Sequence, residues 1–184
     1  MSAARSRHEA AVNACGYCEF NGMITTRQAT PDDAERISAL LMANAADRGG
    51  TLYGDWSLGV VGDYIAAGDL IIVATDGTHL LGVLFTSEKA RASAPPVLAM
   101  LAAWPGSADA YIYGPVCIDQ ATRGRGVLEA LYADLVTRRP GRQAILFIKA
   151  NNPRSLRAHA RLGMVQVASF TLDGEVFAVL SGRS

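Results

Sequence analysis

Apolar residues recur along this chain in two rhythms, and the switches between them mark out its elements. Between Asp69 and Glu88 two nearly unbroken apolar runs, "LIIVAT" and "LLGVLF", flank Asp76-Gly77. Buried strands read this way, and Asp-Gly is a strong turn signal, so the segment predicts a hairpin. "MVQVASFTL" and "VFAVLS" around Asp173-Gly174 predict a second hairpin at the C-terminal end. "ITTRQA" alternates as a half-buried strand does. "AYIYGPVCID" and "QAILFIKA" predict two more strands. Gly114-Pro115 interrupts the first of these, and proline cannot donate to a ladder, so a bulge is expected there.

The helical rhythm fills the gaps. "TPDDAERISALL" predicts a helix with Thr30 as N-cap, Pro31 in the first position, and Asp32 and Asp33 at the positive end of the dipole. "SLGVVGDYIAAG" predicts a short helix ending at Gly68, and "ANAADRGGTLYGDW" before it predicts a loop. "SAPPVLAMLAAWPGSAD" predicts a helix between Pro95-Pro96 and Pro105-Gly106. "GVLEALYADLVTRR" carries apolar residues at 127, 128, 131, 132 and 135 and closes at Pro140-Gly141. "PRSLRAHARLG" predicts a last helix stopping at Gly163. The order β-α-α-β-β-α-β-α-β-α-β-β is that of an α/β domain, layered as α+β domains are, with a mixed sheet.

Composition narrows the picture little. The 184 residues suit one domain, expected over 23–184. Residues 1–22 show no clean period and precede a second methionine, Met23, so they are expected to be a disordered extension or the product of an upstream start codon. Formal net charge is zero, which leaves no electrostatic footprint for nucleic acid or an anionic membrane; neither partner is expected. "CGYC" at 15–18 has redox-motif spacing without the βαβ context of a redox fold. The three histidines add no metal-ligand spacing to it, and no metal is expected. An odd cysteine count and no signal peptide suggest a cytoplasmic protein.

Candidate chemistry gathers at Arg123-Gly124-Arg125-Gly126, where a predicted strand turns into a predicted helix. A helix N-terminus offers unpaired N–H groups and partial positive charge, and glycines let an anion approach the backbone. A diphosphate suits such a turn; a glycine-rich connection with solvated arginines is the alternative. A dinucleotide fingerprint fails because Glu129 stands at its third glycine, and a P-loop fails for want of G-K-[S/T].

A second motif follows the next predicted strand. In "NNPRSLRAHARLGM", Asn152, Ser155, His159, Leu162, Gly163 and Met164 stand at the spacing N-x-x-S-x-x-x-H-x-x-L-G-M. Together with Arg123-Gly124-Arg125-Gly126-Val127-Leu128, this resembles the GNAT superfamily of N-acetyltransferases. The resemblance covers residues 23–181, with "ITTRQATPDDAERI" as a familiar opening. Leu128 departs from the family's usual Gly or Ala, and His159 from its frequent Tyr.

The resemblance implies a mostly antiparallel central sheet of about six or seven strands flanked by helices, with a splay between the strands near 110–119 and 143–150. It implies direct transfer of acetyl from acetyl-CoA to an amine of a small molecule or protein; a catalytically silent acyl-CoA-binding regulatory module is the alternative. The backbone of Arg125 to Leu128 would hold the pyrophosphate, and the side chains of Arg123 and Arg125 would reach the phosphates or only screen them. The strand at Val116, Cys117 and Ile118 would pair with the pantetheine arm. Asn152 would cap its helix, bond the pantetheine amide, or do both. Ser155 belongs to the same motif. His159 is the candidate general acid for the leaving thiolate, with a helix-surface histidine as the alternative. Glu88, Tyr113, Asp55 and Tyr53 are candidate bases, none singled out by spacing. Cys117 is expected to pack rather than react. Tyr53, Trp56 and the insert 90–109 are expected to line the acceptor side, and a homodimer is a family habit.

Overall fold

The computed structural model describes residues 23–184. The readings of Cys15, Cys18 and the leader 1–22 fall outside the described residues. Seven strands form one sheet in the order β1-β2-β3-β4-β5-β7-β6. They are β1 (Thr25–Gln28), β2 (Ile71–Asp76), β3 (His79–Glu88), β4 (Tyr111–Ile118), β5 (Gln143–Lys149), β6 (Val165–Leu172) and β7 (Glu175–Arg183). Only β4 and β5 pair in parallel; every other neighbour is antiparallel.

Five α-helices cover the sheet: α1 (Ala34–Ala43), α2 (Leu58–Ala66), α3 (Pro95–Ala103), α4 (Val127–Arg138) and α5 (Pro153–Arg161). On one face, Val127, Leu131 and Leu135 of α4 and Leu156 of α5 pack on Ile72, Leu84, Tyr111, Tyr113 and Ile148. On the other, α1 and α2 cover Ile71, Val73, Val83 and Phe85. α3 covers Ile112, Ile145 and Val179 on that same side, because Tyr111 and Ile112 point to opposite faces of β4. Among the described residues no helix is long and apolar enough to cross a membrane.

The opening helix departs from its sequence pattern. Pro31–Asp33 form a 3-10 turn, and the α-helix begins only at Ala34. Asp33 explains the tight turn. Its buried carboxylate accepts from Thr30 N at 2.8 Å, Arg27 Nη1 at 2.6 Å and Arg36 Nη2 at 2.6 Å. Arg27 first, and then Thr30, holds its pKa well below the carboxylate range against the opposing effect of burial.

Two features of β4 set up the site. From Leu84↔Val116 to Thr86↔Tyr113 the ladder advances two residues on β3 and three on β4. The extra residue falls at Gly114-Pro115, which is the expected bulge. Pairing of β4 with β5 consists of Tyr111↔Ala144 and Ile112↔Ile145 alone. From Tyr113 on, the two strands part, while β5 keeps pairing with β7 as far as Lys149↔Phe177.

Candidate active site

The split between β4 and β5 opens toward two helix mouths, because α4 follows β4 and α5 follows β5. At the first mouth, Asp119 Oδ1 accepts from Ala121 N at 2.8 Å and turns the chain out of the strand. Gly124 and Gly126 then take φ of 80° and 83°, a left-handed conformation that costs glycine little. A Cβ at either would meet nothing within 4 Å, so space lies in front of the turn. Arg125 N donates to Thr122 O at 3.3 Å. The next three N–H groups, of Gly126, Val127 and Leu128, meet no acceptor among the described residues, and Gly126 as N-cap has no side chain to offer one. Gly82 lets this mouth sit low on the sheet: a Cβ there would lie 3.0 Å from Val127 Cγ1 and 2.8 Å from Ile118 Cδ1.

Arg123 folds back over the end of β4. Its Nε donates to Ile118 O at 3.3 Å and its Nη2 to Asn44 Oδ1 at 2.5 Å. Asn44 is in turn anchored by Nδ2 donating to Leu40 O at 2.8 Å. Arg125 lies exposed in the turn.

At the second mouth, Asn152 caps α5, its Oδ1 accepting from Ser155 N at 3.1 Å. Its Nδ2 donates to Thr51 Oγ1 at 3.4 Å. The loop after α1 therefore touches both walls of the split, through Asn44 on the β4 side and Thr51 on the β5 side.

His159 is 6% exposed and lies against Tyr113, ring edge to ring face, with centroids 5.6 Å apart. It is a buried group, not the solvated histidine that its polar neighbours in sequence allowed. Its Nδ1 lies 2.9 Å from Ser155 O. A carbonyl only accepts, so the proton is on Nδ1 and Nε2 presents a lone pair. Burial lowers the His159 pKa, and the bond to Ser155 O opposes this only in part. Tyr113 is the first residue of β4 beyond the last pair with β5. Burial raises its phenol well above the ordinary range, so it keeps its proton. The Tyr113 hydroxyl and His159 Nε2 are both buried without a hydrogen-bond partner among the described residues.

The other candidate bases have structural partners or lie outside this cluster. Glu88 accepts from Arg139 Nη1 at 2.7 Å and from Arg142 Nη1 and Nη2 at 3.0 Å and 2.7 Å. Arg142 first, then Arg139, pulls its pKa down to about 2, too low for a base at neutral pH. Both guanidiniums lie over the Tyr111 ring, at 4.8 Å and 5.4 Å. Asp55 accepts from Ser57 N at 3.0 Å and so orders the start of α2. Tyr53 is exposed, but Trp56 packs on Tyr64 and Phe85 under α1 and α2. Trp56 is thus half-buried against the core. Cys117 points toward α1, and burial pushes its thiol up to about 12, as suits a packing residue. Most of the insert 90–109 is α3 and its flanks, and α3 packs on the sheet. Among the described residues no cluster of three or more His, Cys, Asp or Glu is placed to hold a metal.

No protein-family model matches the sequence. No curated protein matches it either. Solved structures do. An N-acetyltransferase from Staphylococcus aureus Mu50 superposes with a TM-score of 0.66 at 17% identity, covering 88% of this chain and 98% of that one. A GNAT-family acetyltransferase from Bacillus cereus gives 0.66 at 13% identity, covering 88% and 97%. Arabidopsis thaliana NAA60 in complex with acetyl-CoA gives 0.63 at 16% identity, covering 88% and 98%. The chain has the GNAT acetyltransferase fold. At these identities the likeness is one of fold, and it agrees with the sheet, the splay and the order of elements that the sequence implies. In this chain the sheet has one parallel pair, β4–β5, a bulge in β4, and helices that begin on either side of the split.

Proposed function

We propose that this chain is an acetyltransferase that binds acetyl-CoA and passes its acetyl group directly to an amine of a small molecule or protein. One observation carries the reading: the gap between β4 and β5 opens beside a helix mouth whose first N–H groups meet no acceptor among the described residues. The residues fit the group. Three N–H donors and open space at Gly124 and Gly126 suit a pyrophosphate. The unpaired side of β4 suits an extended amide-bearing arm. Arabidopsis thaliana NAA60, whose fold is similar, is known in complex with acetyl-CoA, which supports the choice of ligand.

In this reading Gly126, Val127 and Leu128 hold the pyrophosphate through backbone N–H groups, Leu128 losing nothing by its side chain. Arg123 and Arg125 supply positive charge at the turn. The backbone of Val116, Cys117 and Ile118 pairs with pantetheine on the side that faces away from β3. Asn152 bonds the pantetheine amide once Nδ2 exchanges Thr51 for it, and Ser155 fixes the orientation of His159. His159 lies where the reacting centre would be, at the apex of the gap.

A second reading is a silent acyl-CoA-binding module. The structural engagement of Glu88 and Asp55 favours it. The test is calorimetric titration of the full chain with acetyl-CoA, CoA, NAD and ATP, followed by an amine panel with acetyl-CoA. Selective acetyl-CoA binding and an acetylated amine support the enzyme. Binding without any product supports the module. Preference for NAD or ATP, or no binding, removes both.

A further inference from the structure

Two buried rings, each with an unmet polar atom among the described residues, pack together where β4 leaves β5. Tyr113 is 3% exposed and His159 6%, yet neither the phenol oxygen nor Nε2 has a partner among the described residues. Leaving such groups unmet costs stability unless something else meets them. They are also of opposite kind. The Tyr113 hydroxyl has a proton to donate. His159 Nε2, with Nδ1–H tied to Ser155 O, has a lone pair to offer.

The geometry points to a donor–acceptor pair that handles charge and proton together: Tyr113 O–H donates to the carbonyl oxygen of the thioester, and His159 Nε2 relays the proton from the attacking amine to the departing sulfur. This rests on the acetyltransferase reading and goes beyond it, since it makes His159 an acceptor first and a donor second, and gives Tyr113 a role as hydrogen-bond donor.

The proton count closes without another base. A neutral amine forms the C–N bond, and the carbonyl π pair moves to the oxygen held by Tyr113. The amine nitrogen, now cationic, gives one proton to His159 Nε2. The oxygen pair re-forms the carbonyl as the C–S bond breaks, and the sulfur takes the proton from Nε2. His159 ends neutral, as it began, and the products are the amide and the CoA thiol. Burial keeps Tyr113 protonated and His159 neutral at rest. Glu88, the carboxylate nearest in sequence to this end of β3, is already bound by two arginines.

The experiment uses the full chain and three variants: Tyr113→Phe, His159→Gln and His159→Tyr. Nitrogen NMR of the labelled histidine side chains reads the tautomer directly. We expect a protonated Nδ1 and a bare Nε2 for His159; a proton on Nε2 overturns the relay. Carbon NMR of ring-labelled tyrosine, assigned with Tyr113→Phe, reads the phenol as acetyl-CoA is added. A shift of Tyr113 is expected, and none at saturation overturns its role. With an amine that the wild type acetylates, His159→Gln should lower kcat about 100-fold or more and Tyr113→Phe about 100-fold, with acetyl-CoA affinity held within about threefold. His159→Tyr should not rescue, because a phenol can supply a proton but is a poor acceptor for one. Full rescue by His159→Tyr would show that only an acid was needed. Wild type that binds acetyl-CoA while the variants turn over unchanged overturns the relay alone. Failure of the wild type to bind acetyl-CoA overturns the acetyltransferase reading and the relay together.

Discussion

Arg123 reaches Asn44 across 79 positions of sequence, its Nη2 donating to Oδ1 at 2.5 Å. A neutral amide, itself tied to Leu40 O, thereby fixes a guanidinium beside the turn that would receive phosphate. Fixing it beforehand reduces the conformational freedom lost on binding. Asn44→Ala is therefore expected to weaken acetyl-CoA binding about two- to fivefold, and Arg123→Ala about tenfold or more, since a charged donor is lost. Calorimetry on both variants checks the order.

Gly82 sets the height of α4 above the sheet. Gly82→Ala would bring a methyl group within 2.8 Å of Ile118 Cδ1 and 3.0 Å of both Cys117 O and Val127 Cγ1. We expect a loss of about 1–3 kcal/mol in urea unfolding, the usual range for overpacking. Acetyl-CoA binding should weaken as well, because the residue displaced is the first of α4.

Glu88 gives an acid-dependent contribution to stability. Its pKa falls to about 2 in the fold, through Arg142 and then Arg139. In the unfolded chain a glutamate titrates near ~4.3. The unfolded state binds the extra proton between these values, so the contribution is complete above ~4.3 and is lost as pH falls toward 2. Melting temperatures of wild type and Glu88→Gln should differ near neutrality and converge across that window. The carboxylate is 45% exposed, so the difference should be modest and shrink in high salt.

His159 acts in a higher window with the same sign. Burial depresses its pKa, so the fold holds it neutral while the unfolded chain takes up a proton near ~6.5. Its contribution is complete above ~6.5 and declines as pH falls below that value. Wild type should lose stability on acidification from neutrality before Glu88 begins to titrate. His159→Gln should flatten that part of the curve, measured by urea midpoints at a series of pH values.

How much of this was legible in the sequence follows the range of the interactions. Among the described residues the seven strands and five helices are those the sequence predicts, α1 starting late at Ala34, because each rhythm is local and each turn carries its own Gly or Pro. The bulge was legible for the same reason: Gly-Pro inside a strand has few other uses. The gap between β4 and β5 was legible only through family resemblance, since no residue within either strand announces that pairing stops at Ile112. Long-range partners left no trace at all. Glu88 could stand as a base until Arg139 and Arg142 appeared beside it, 51 and 54 positions away. Trp56 looked like a loop aromatic until Phe85 and Tyr64 closed around it. The burial of His159 was hidden by the polar "RAHAR", whose arginines face out while one histidine faces in.

The bulge at Gly114-Pro115 also fixes how β4 tolerates change in length. Tyr111 and Tyr113 before it, and Val116 and Ile118 after it, all face α4 and α5, although the two pairs differ in parity along the chain. Losing a single residue there would turn everything downstream over by half a turn. Cys117 would then meet the helices, and Val116 and Ile118 would go to the opposite face. A drifting sequence can therefore alter what stands at 114 and 115 more readily than how many residues stand there.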